Sequence, residues 1–280
     1  MALSSFDLDL IRRLVRERSG IVLGADKTYL IESRLLPVAK LHGLDSLDLL
    51  CLRLRGGNAN DLQRQVIEAM TTNETLFFRD SHPFETLTKV VLPDLISRRL
   101  AQKRLVIWCA AASTGQEPYS VAMAIRDQLP SLLHWQLRIV ATDIATDVLA
   151  KAKAGIFSQL EVSRGLPPAF QNRFLIKVGH EWQLKDEIRK MIEFRELNLL
   201  ESYGVVGTAD VVLMRNVLIY FDIETKRQIL AKVKRTLAPD GYFFLGGAET
   251  TLNLDESYER LPGDRGGCYR LRAAQPLLAH

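Results

Sequence analysis

The sequence predicts an α/β protein with an all-helical N-terminal segment, a parallel sheet domain and a small antiparallel insert. From residue 92 onward, apolar runs alternate with helical periodicity, which is typical of parallel strands joined by crossover helices. Residues 1–70 show helical periodicity throughout. Residues 157–187 contain two more strand-like runs joined around Gly179 and His180, which indicates a hairpin outside the main sheet.

Composition excludes several classes of protein. The 280 residues are 47% hydrophobic and 25% charged, which suits one large domain plus a smaller one. No apolar run approaches the ~18 residues of a membrane span, and the N-terminus lacks the features of a signal peptide, so we expect a cytoplasmic protein. A net charge of +4 is weak for a nucleic-acid binder. Three isolated cysteines and five scattered histidines indicate neither a disulfide framework nor a metal site.

The N-terminal segment is predicted to form four helices. They cover residues 6–19, 27–41, 46–54 and 60–70. The first is rich in arginine, and this basic face is either simply solvated or a docking surface for an acidic partner; its arginines are Arg12, Arg13, Arg16 and Arg18.

Residues 71–82 are predicted to form a partly buried linker. Two interpretations are open. Thr72 or Asn73 caps a short helix while Phe77 and Phe78 pack between domains, or the linker packs onto a ligand site.

The sheet domain, residues 83–280, has alternating predicted elements, interrupted by the insert at about residues 157–190. The predicted strands are residues 104–110, 137–142, 191–196, 210–215, 241–246 and 267–271. The predicted helices are residues 83–99, 117–128, 146–153 and 223–237.

The turn after the first strand is the predicted binding site. Residues 110–115 are small and end at Gly115, so a ligand can approach the backbone closely. A single glycine followed by the carboxylate of Glu117 does not suit a phosphate, but it suits a cationic nucleoside such as S-adenosylmethionine (SAM). The alternative is a capping box of Thr114 and Glu117, worth roughly 1 kcal/mol. Pro118 weakens it, because proline at the first helical position would make Glu117 itself the cap.

Three more polar residues follow strand ends. Ligands of such sheets lie beyond the carboxyl ends of the strands, so one site can collect them. Asp143 is predicted to accept ribose hydroxyls, or else to cap the helix that starts near Thr146. Asn198 and Asn216 interrupt apolar runs and either contact the ligand or only turn the chain.

Six segments resemble the chemotaxis receptor methyltransferases, the CheR family. They are Met70-Thr-Thr-Asn-Glu-Thr-Leu-Phe-Phe-Arg79, Ala110-Ala-Ala-Ser-Thr-Gly-Gln-Glu-Pro-Tyr-Ser120, Ala141-Thr-Asp-Ile144, Asn198-Leu-Leu200, Arg215-Asn-Val-Leu-Ile-Tyr-Phe221 and Leu237-Ala-Pro-Asp-Gly241. The resemblance implies a Rossmann-like SAM-dependent methyltransferase domain, with a helical N-terminal domain and an inserted β-subdomain.

The resemblance also implies a set of site residues. Arg79 would pair with the carboxylate of SAM, Glu117 with its ammonium and Asp143 with its ribose. The implied cofactor-binding residues are Asn73, Thr75, Arg79, Glu117, Asp143, Asn198, Leu199, Asn216 and Val217.

The implied reaction converts glutamate side chains on the cytoplasmic helical bundle of a chemoreceptor into methyl esters, leaving S-adenosylhomocysteine. A glutamate is ionised at neutral pH, so no general base is needed. Tyr220 and Arg215 are candidates for orienting the acceptor, as is Tyr119; each has a structural role as the alternative. The loop at residues 177–182 is shorter than in enteric-type members, which implies direct docking rather than tethering by a receptor C-terminal peptide.

Two other functions stay open at this point. A methyltransferase acting on nucleic acid or on a small molecule would keep the cofactor and change the acceptor; the weak net charge and the lack of an Asn/Asp-Pro-Pro-Tyr motif disfavour nucleic acid. A non-catalytic module would bind without turnover.

Overall fold

A computed structural model describes residues 3–57, 60–264 and 267–272 of the chain. The N-terminal segment forms four helices, as predicted: α1 (Ser5–Ser19), α2 (Thr28–Leu41), α3 (Leu47–Arg55) and α4 (Asn60–Met70). The Ser4 side chain accepts from the Asp7 N–H to begin α1, and Gly20, at φ 79°, ends it. The apolar faces of the four helices share one core.

The main sheet has seven strands: β1 (Arg104–Ala110), β2 (Gln136–Asp143), β6 (Ile192–Glu196), β7 (Ala209–Leu213), β8 (Leu237–Phe244), β9 (Tyr258–Arg260) and β10 (Cys268–Leu271). Their order is β6-β2-β1-β7-β8-β10-β9. The first five are parallel, as predicted, whereas β10 and β9 pair antiparallel at the edge. The sheet is therefore mixed, and β9 was missed by the sequence analysis.

Strand β1 lies at the centre of the sheet and is buried on both faces. Ile107 and Cys109 point into the core cluster on one face, and Val106 and Trp108 into the cluster on the other. The chain order reverses between β1 and β7, which places the topological switch point, where ligands of such sheets bind, at the carboxyl ends of these strands.

The helices of this domain lie close to their predicted positions. They are α5 (His82–Thr86), α6 (Leu92–Arg99), α7 (Gln116–Gln128), α8 (Thr146–Ala154) and α12 (Ile223–Thr236), with a π-helical turn (Leu87–Val91) joining α5 to α6. Short 3-10 turns lie at Ala25–Lys27, Pro130–His134 and Leu218–Tyr220. No helix in the described part of the chain is long and apolar enough to cross a membrane.

The insert forms its own antiparallel sheet. It contains β4 (Leu175–Val178) and β5 (Glu181–Leu184), joined at Gly179 and His180 as predicted, and a third strand that was not predicted, β3 (Ile156–Ser158). The helices α9 (Gln159–Ser163), α10 (Pro168–Phe174) and α11 (Asp186–Arg189) complete it. The last eight residues of the proposed 83–280 domain lie outside the described residues.

Candidate cofactor and acceptor site

The turn after β1 has an unusual backbone. Ala111, Ser113 and Gly115 have φ values of 53°, 50° and 94°. The Ala112 N–H donates to the Thr142 carbonyl at 2.9 Å, which ties the turn to β2. A Cβ on Gly115 would lie 3.0 Å from the Ala152 Cβ, so the small residues permit both the left-handed backbone and the close packing of the turn.

The capping box does not form, because α7 begins at Gln116 with Gly115 as its cap and without a side-chain cap. Thr114 instead donates its hydroxyl to Gln116 Oε1 at 2.7 Å. The suggestion that Pro118 would make Glu117 the cap is therefore also wrong.

Glu117 is paired with Arg215. Its Oε2 accepts from Arg215 Nη1 at 2.8 Å, and no described residue donates to Oε1. Burial raises the pKa of Glu117, and the adjacent Arg215 guanidinium opposes that rise. One carboxylate oxygen is thus left for a ligand donor.

The side chain of Arg215 is almost fully buried, at 1% exposure, and joins three segments. Besides Glu117, it donates through Nη2 to Asp80 Oδ2 at 2.7 Å and to the Arg79 carbonyl at 2.9 Å. Its guanidinium lies 5.7 Å from the centre of the Phe84 ring. Its Nε is buried and has no hydrogen-bond partner among the described residues, so one donor remains.

Asp143 ends β2 and is buried, with 6% of its surface exposed. Its Oδ2 accepts from the Ser113 N–H at 2.8 Å and its Oδ1 from the Ala145 N–H at 3.0 Å. Burial raises the pKa of Asp143, while these backbone donors act to lower it. Two N–H donors leave about half of the carboxylate's acceptor capacity for a ligand.

Asp143 does not cap α8. The cap residue is Ala145, whose side chain cannot accept a hydrogen bond. The acceptor for the Thr146 N–H at the start of α8 comes instead from the N-terminal domain. Glu68 of α4 accepts from the Thr146 N–H at 3.1 Å and from its hydroxyl at 2.9 Å. The capping alternative for Asp143 is therefore wrong.

The linker packs onto this turn, which was the second of the two interpretations. The Ser113 hydroxyl donates to the Asn73 carbonyl at 2.8 Å, and the Phe78 N–H donates to Ser120 Oγ at 2.9 Å. No helix begins at Thr72 or Asn73, since the next helix is α5. Arg79 is half-buried and donates to the Glu74 carbonyl at 3.2 Å.

Asn198 follows the end of β6 and lines the cavity there. Its Nδ2 donates to the Arg18 carbonyl at 2.6 Å and its Oδ1 accepts from the Leu200 N–H at 3.0 Å, so this side chain joins the N-terminal domain to the sheet domain. The Tyr220 carbonyl accepts from the Val22 N–H at 2.9 Å, which adds a second link between the domains.

These segments line a cavity that is partly open to solvent. Eleven of the twelve predicted site residues line the cavity: Asn73, Thr75, Arg79, Glu117, Asp143, Asn198, Leu199, Arg215, Asn216, Val217 and Tyr220.

The prediction that Tyr119 orients the acceptor glutamate was wrong. Tyr119 is fully buried beneath the turn and donates its hydroxyl to the Ala152 carbonyl at 2.6 Å. Three residues of the site were not predicted: Ser19 and Ile21 line the cavity near the end of α1, and Asp80 accepts from Arg215. Ser19 and Gly20 gave only a helix-stop signal, so nothing local indicated a role in the cavity.

No group of three or more potential metal ligands occurs within residues 3–57, 60–264 and 267–272. Cys51, Cys109 and Cys268 are buried free thiols, and burial raises the pKa of each.

Two family profiles match the chain. Residues 7–71 match the all-alpha domain of the CheR methyltransferases, and residues 73–266 match their SAM-binding domain. Chemotaxis protein methyltransferase 1 of Pseudomonas aeruginosa is 45% identical, and the alignment covers 97% of this chain and 100% of that protein. Chemotaxis protein methyltransferase Cher2 of Pseudomonas putida is 40% identical over the same shares. Among solved structures, PKMT2 of Rickettsia typhi aligns at 15% identity, with a TM-score of 0.37, over 69% of this chain and 28% of its own. That similarity is too low to support an argument.

Proposed function

The chain belongs to the CheR methyltransferase family, and from this premise we propose that it methylates glutamate side chains on the cytoplasmic domains of chemoreceptors. It is a SAM-dependent methyltransferase. The observation that carries the proposal is the meeting of eleven residues from the linker and four strand ends in one cavity. The products would be glutamate methyl esters and S-adenosylhomocysteine, and no metal would be needed.

The charges in the cavity fit a zwitterionic nucleoside with an additional positive charge. Asp143 keeps acceptor capacity for ribose hydroxyls, and Glu117 Oε1 has no donor among the described residues, so it is available to an ammonium. Arg79, which is half-buried and lines the cavity, would pair with a carboxylate. Asn73, Thr75, Asn198, Leu199, Asn216 and Val217 would form the remaining contacts.

SAM supplies the methyl group when bound, and the chain's own residues then need only to position the acceptor. An acceptor glutamate has a pKa near ~4.3 and is ionised at neutral pH, so no base is required. Tyr220 is partly exposed in the cavity wall, and Arg215 keeps an unpaired Nε–H. We assign both to orienting the acceptor carboxylate. Enclosure of the cavity would remove water from the two reacting charges.

The short hairpin supports direct docking of the receptor bundle. Only Gly179 and His180 connect β4 to β5, which leaves little loop to grasp a receptor C-terminal peptide. We therefore propose that the reaction takes place in the cytoplasm, on the helical bundle itself, without dependence on such a peptide.

The direct test is transfer of label from radioactive SAM to purified chemoreceptor signalling domains of the host. The expected result is base-labile label on the receptor, with none on the same receptor when its methylatable glutamates are replaced by alanine. Paired receptors with and without their C-terminal peptide should be labelled at equal rates. Absence of label on every host receptor would contradict the proposed function, whereas labelling of only the full-length receptor would contradict peptide-independent docking.

A further inference from the structure

Glu249 is a buried carboxylate held by main-chain donors. It lies in the loop after β8 with 8% of its surface exposed. Its Oε2 accepts from the N–H groups of Asn216 and Gly246, both at 2.7 Å, and its Oε1 accepts from the Ile219 N–H at 3.3 Å. These bonds join the loops that follow the neighbouring strands β7 and β8.

Two of those bonds, from the N–H groups of Asn216 and Ile219, hold a segment that lines the cavity. Asn216, Val217 and Tyr220 all line the cavity, whereas Glu249 does not. Asn216 has φ 59°, a left-handed conformation that asparagine tolerates better than most residues but that still depends on contacts which hold it. The carboxylate of Glu249, bound to the Asn216 N–H, is such an enforcing contact.

Gly246 completes the arrangement from the other side. A Cβ at this position would lie 2.6 Å from Asn216 Nδ2 and 2.9 Å from the Asn216 backbone nitrogen. Only glycine therefore allows Asn216 to approach β8 this closely. The hydrogen bond from the Asn216 N–H to Glu249 holds the segment close to the end of β8, and the absence of a side chain at Gly246 leaves room for it.

The choice of a carboxylate here is unexpected on grounds of stability alone. Glu249 is in no direct ion pair within the described part of the chain, and burying a carboxylate is costly. Three N–H donors do offset that cost, because charge-assisted bonds are stronger than neutral ones. These bonds fix the main-chain conformation of the segment from Asn216 to Ile219.

We propose that Glu249 is a positioning residue for methyl transfer, which holds Asn216 and the turn bearing Tyr220 in the geometry that the bound cofactor and the acceptor glutamate require. It acts through the main chain and touches neither reactant. This inference rests on the proposed function, because the segment is functional only if the cavity holds SAM and the acceptor.

The test compares Glu249→Gln with Asp264→Asn. Asp264 is the matched control because it too holds loop donors, the Cys268 N–H at 2.7 Å and the Thr86 hydroxyl at 2.9 Å, but does not line the cavity. In Glu249→Gln, the amide NH₂ competes with the backbone donors that the carboxylate bound. We expect kcat to fall at least about tenfold and the SAM Kd to rise, while KM for the receptor and the shift in Tm match those of the control.

Gly246→Ala gives an independent measurement, and decides the question if Glu249→Gln fails to fold. It displaces Asn216 while leaving the carboxylate intact, so it should reproduce the loss of kcat. The proposal is overturned if both folded variants keep kcat and SAM Kd within twofold of the wild type, or if the control loses as much activity as they do. If the wild type methylates no receptor, the proposed function fails separately, and the SAM Kd of the variants still tests the positioning.

Discussion

Two walls of the cavity are formed in different ways. The sheet wall, residues 111–117 and Asp143, is anchored by main-chain donors: the Ala112 N–H bonds to the Thr142 carbonyl and the Ser113 N–H to Asp143. The linker wall, residues 71–79, is attached mainly through side chains, such as the Ser113 hydroxyl on the Asn73 carbonyl. The central strands thus fix the sheet wall before a ligand arrives, whereas the linker wall depends on separate contacts. Substitutions in the sheet wall should therefore cost more binding energy.

The largest effect is expected from Asp143→Ala. It removes the proposed ribose acceptor and also leaves the N–H groups of Ser113 and Ala145 without partners, so the turn itself loses its anchor. The SAM Kd, measured by calorimetry, should rise about 100-fold. A Kd within twofold of the wild type would refute the ribose role and the contrast between the two walls.

Arg79→Ala tests the linker wall and should raise the SAM Kd about tenfold, since a partly exposed charge pair contributes less than a fully buried one. Arg164→Ala is the matched control, because Arg164 also contacts Glu74, at 3.4 Å, but does not line the cavity. Equal effects of the two substitutions would remove Arg79 from the cofactor site.

The pH dependence of SAM binding should report on the sheet wall. Burial raises the pKa of both Glu117 and Asp143, so both take up protons at a higher pH than ordinary carboxyls near ~4. Protonation removes the negative charge of Glu117 that faces the ammonium, and it leaves Asp143 a weaker acceptor for the ribose hydroxyls. The SAM Kd should therefore rise as pH falls, starting above the ordinary carboxyl range, with a slope of up to about tenfold per pH unit for each carboxyl.

Glu117→Gln should flatten that profile, whereas Arg79→Ala should leave its shape unchanged. A wild-type profile that is flat down to about pH 5 would contradict the assignment of the two carboxylates.

The smallest effect on binding is expected from Glu68→Ala, because Glu68 lies in α4 and belongs to neither wall. The substitution removes the acceptor for Thr146 at the start of α8 and should lower the free energy of unfolding by about 1–2 kcal/mol in urea denaturation. The SAM Kd should stay within about threefold of the wild type. A larger rise would mean that docking of the N-terminal domain holds the linker wall, and that the two walls are not independent. Asp61→Ala, which changes another acid of α4 that contacts Arg64, is the control.

The elements and the strand-end residues could be predicted because their signals are local. Helical and strand periodicity predicted the bounds of β1 and α7 to within one residue. The rule that ligands lie beyond strand ends predicted that Glu117, Asp143 and Asn216 would share one site, and all three line the cavity. The antiparallel edge was missed because β9 is three residues long, too short to show alternation. Glu249 was missed because a glutamate in a loop gives no sign that its carboxylate will be buried among backbone donors.

The sequence by itself therefore determined the five parallel strands, the helical segment, the hairpin of the insert and the set of polar residues at the strand ends, since each depends on local spacing. Only the tertiary structure decided how those residues are used. It placed Arg215 against Glu117 and Asp80, Asn198 against the end of α1, Glu68 at the start of α8, and Glu249 beneath Asn216. Such pairs join residues far apart in the chain, and each buried polar group finds its partner only once packing has excluded water from the site.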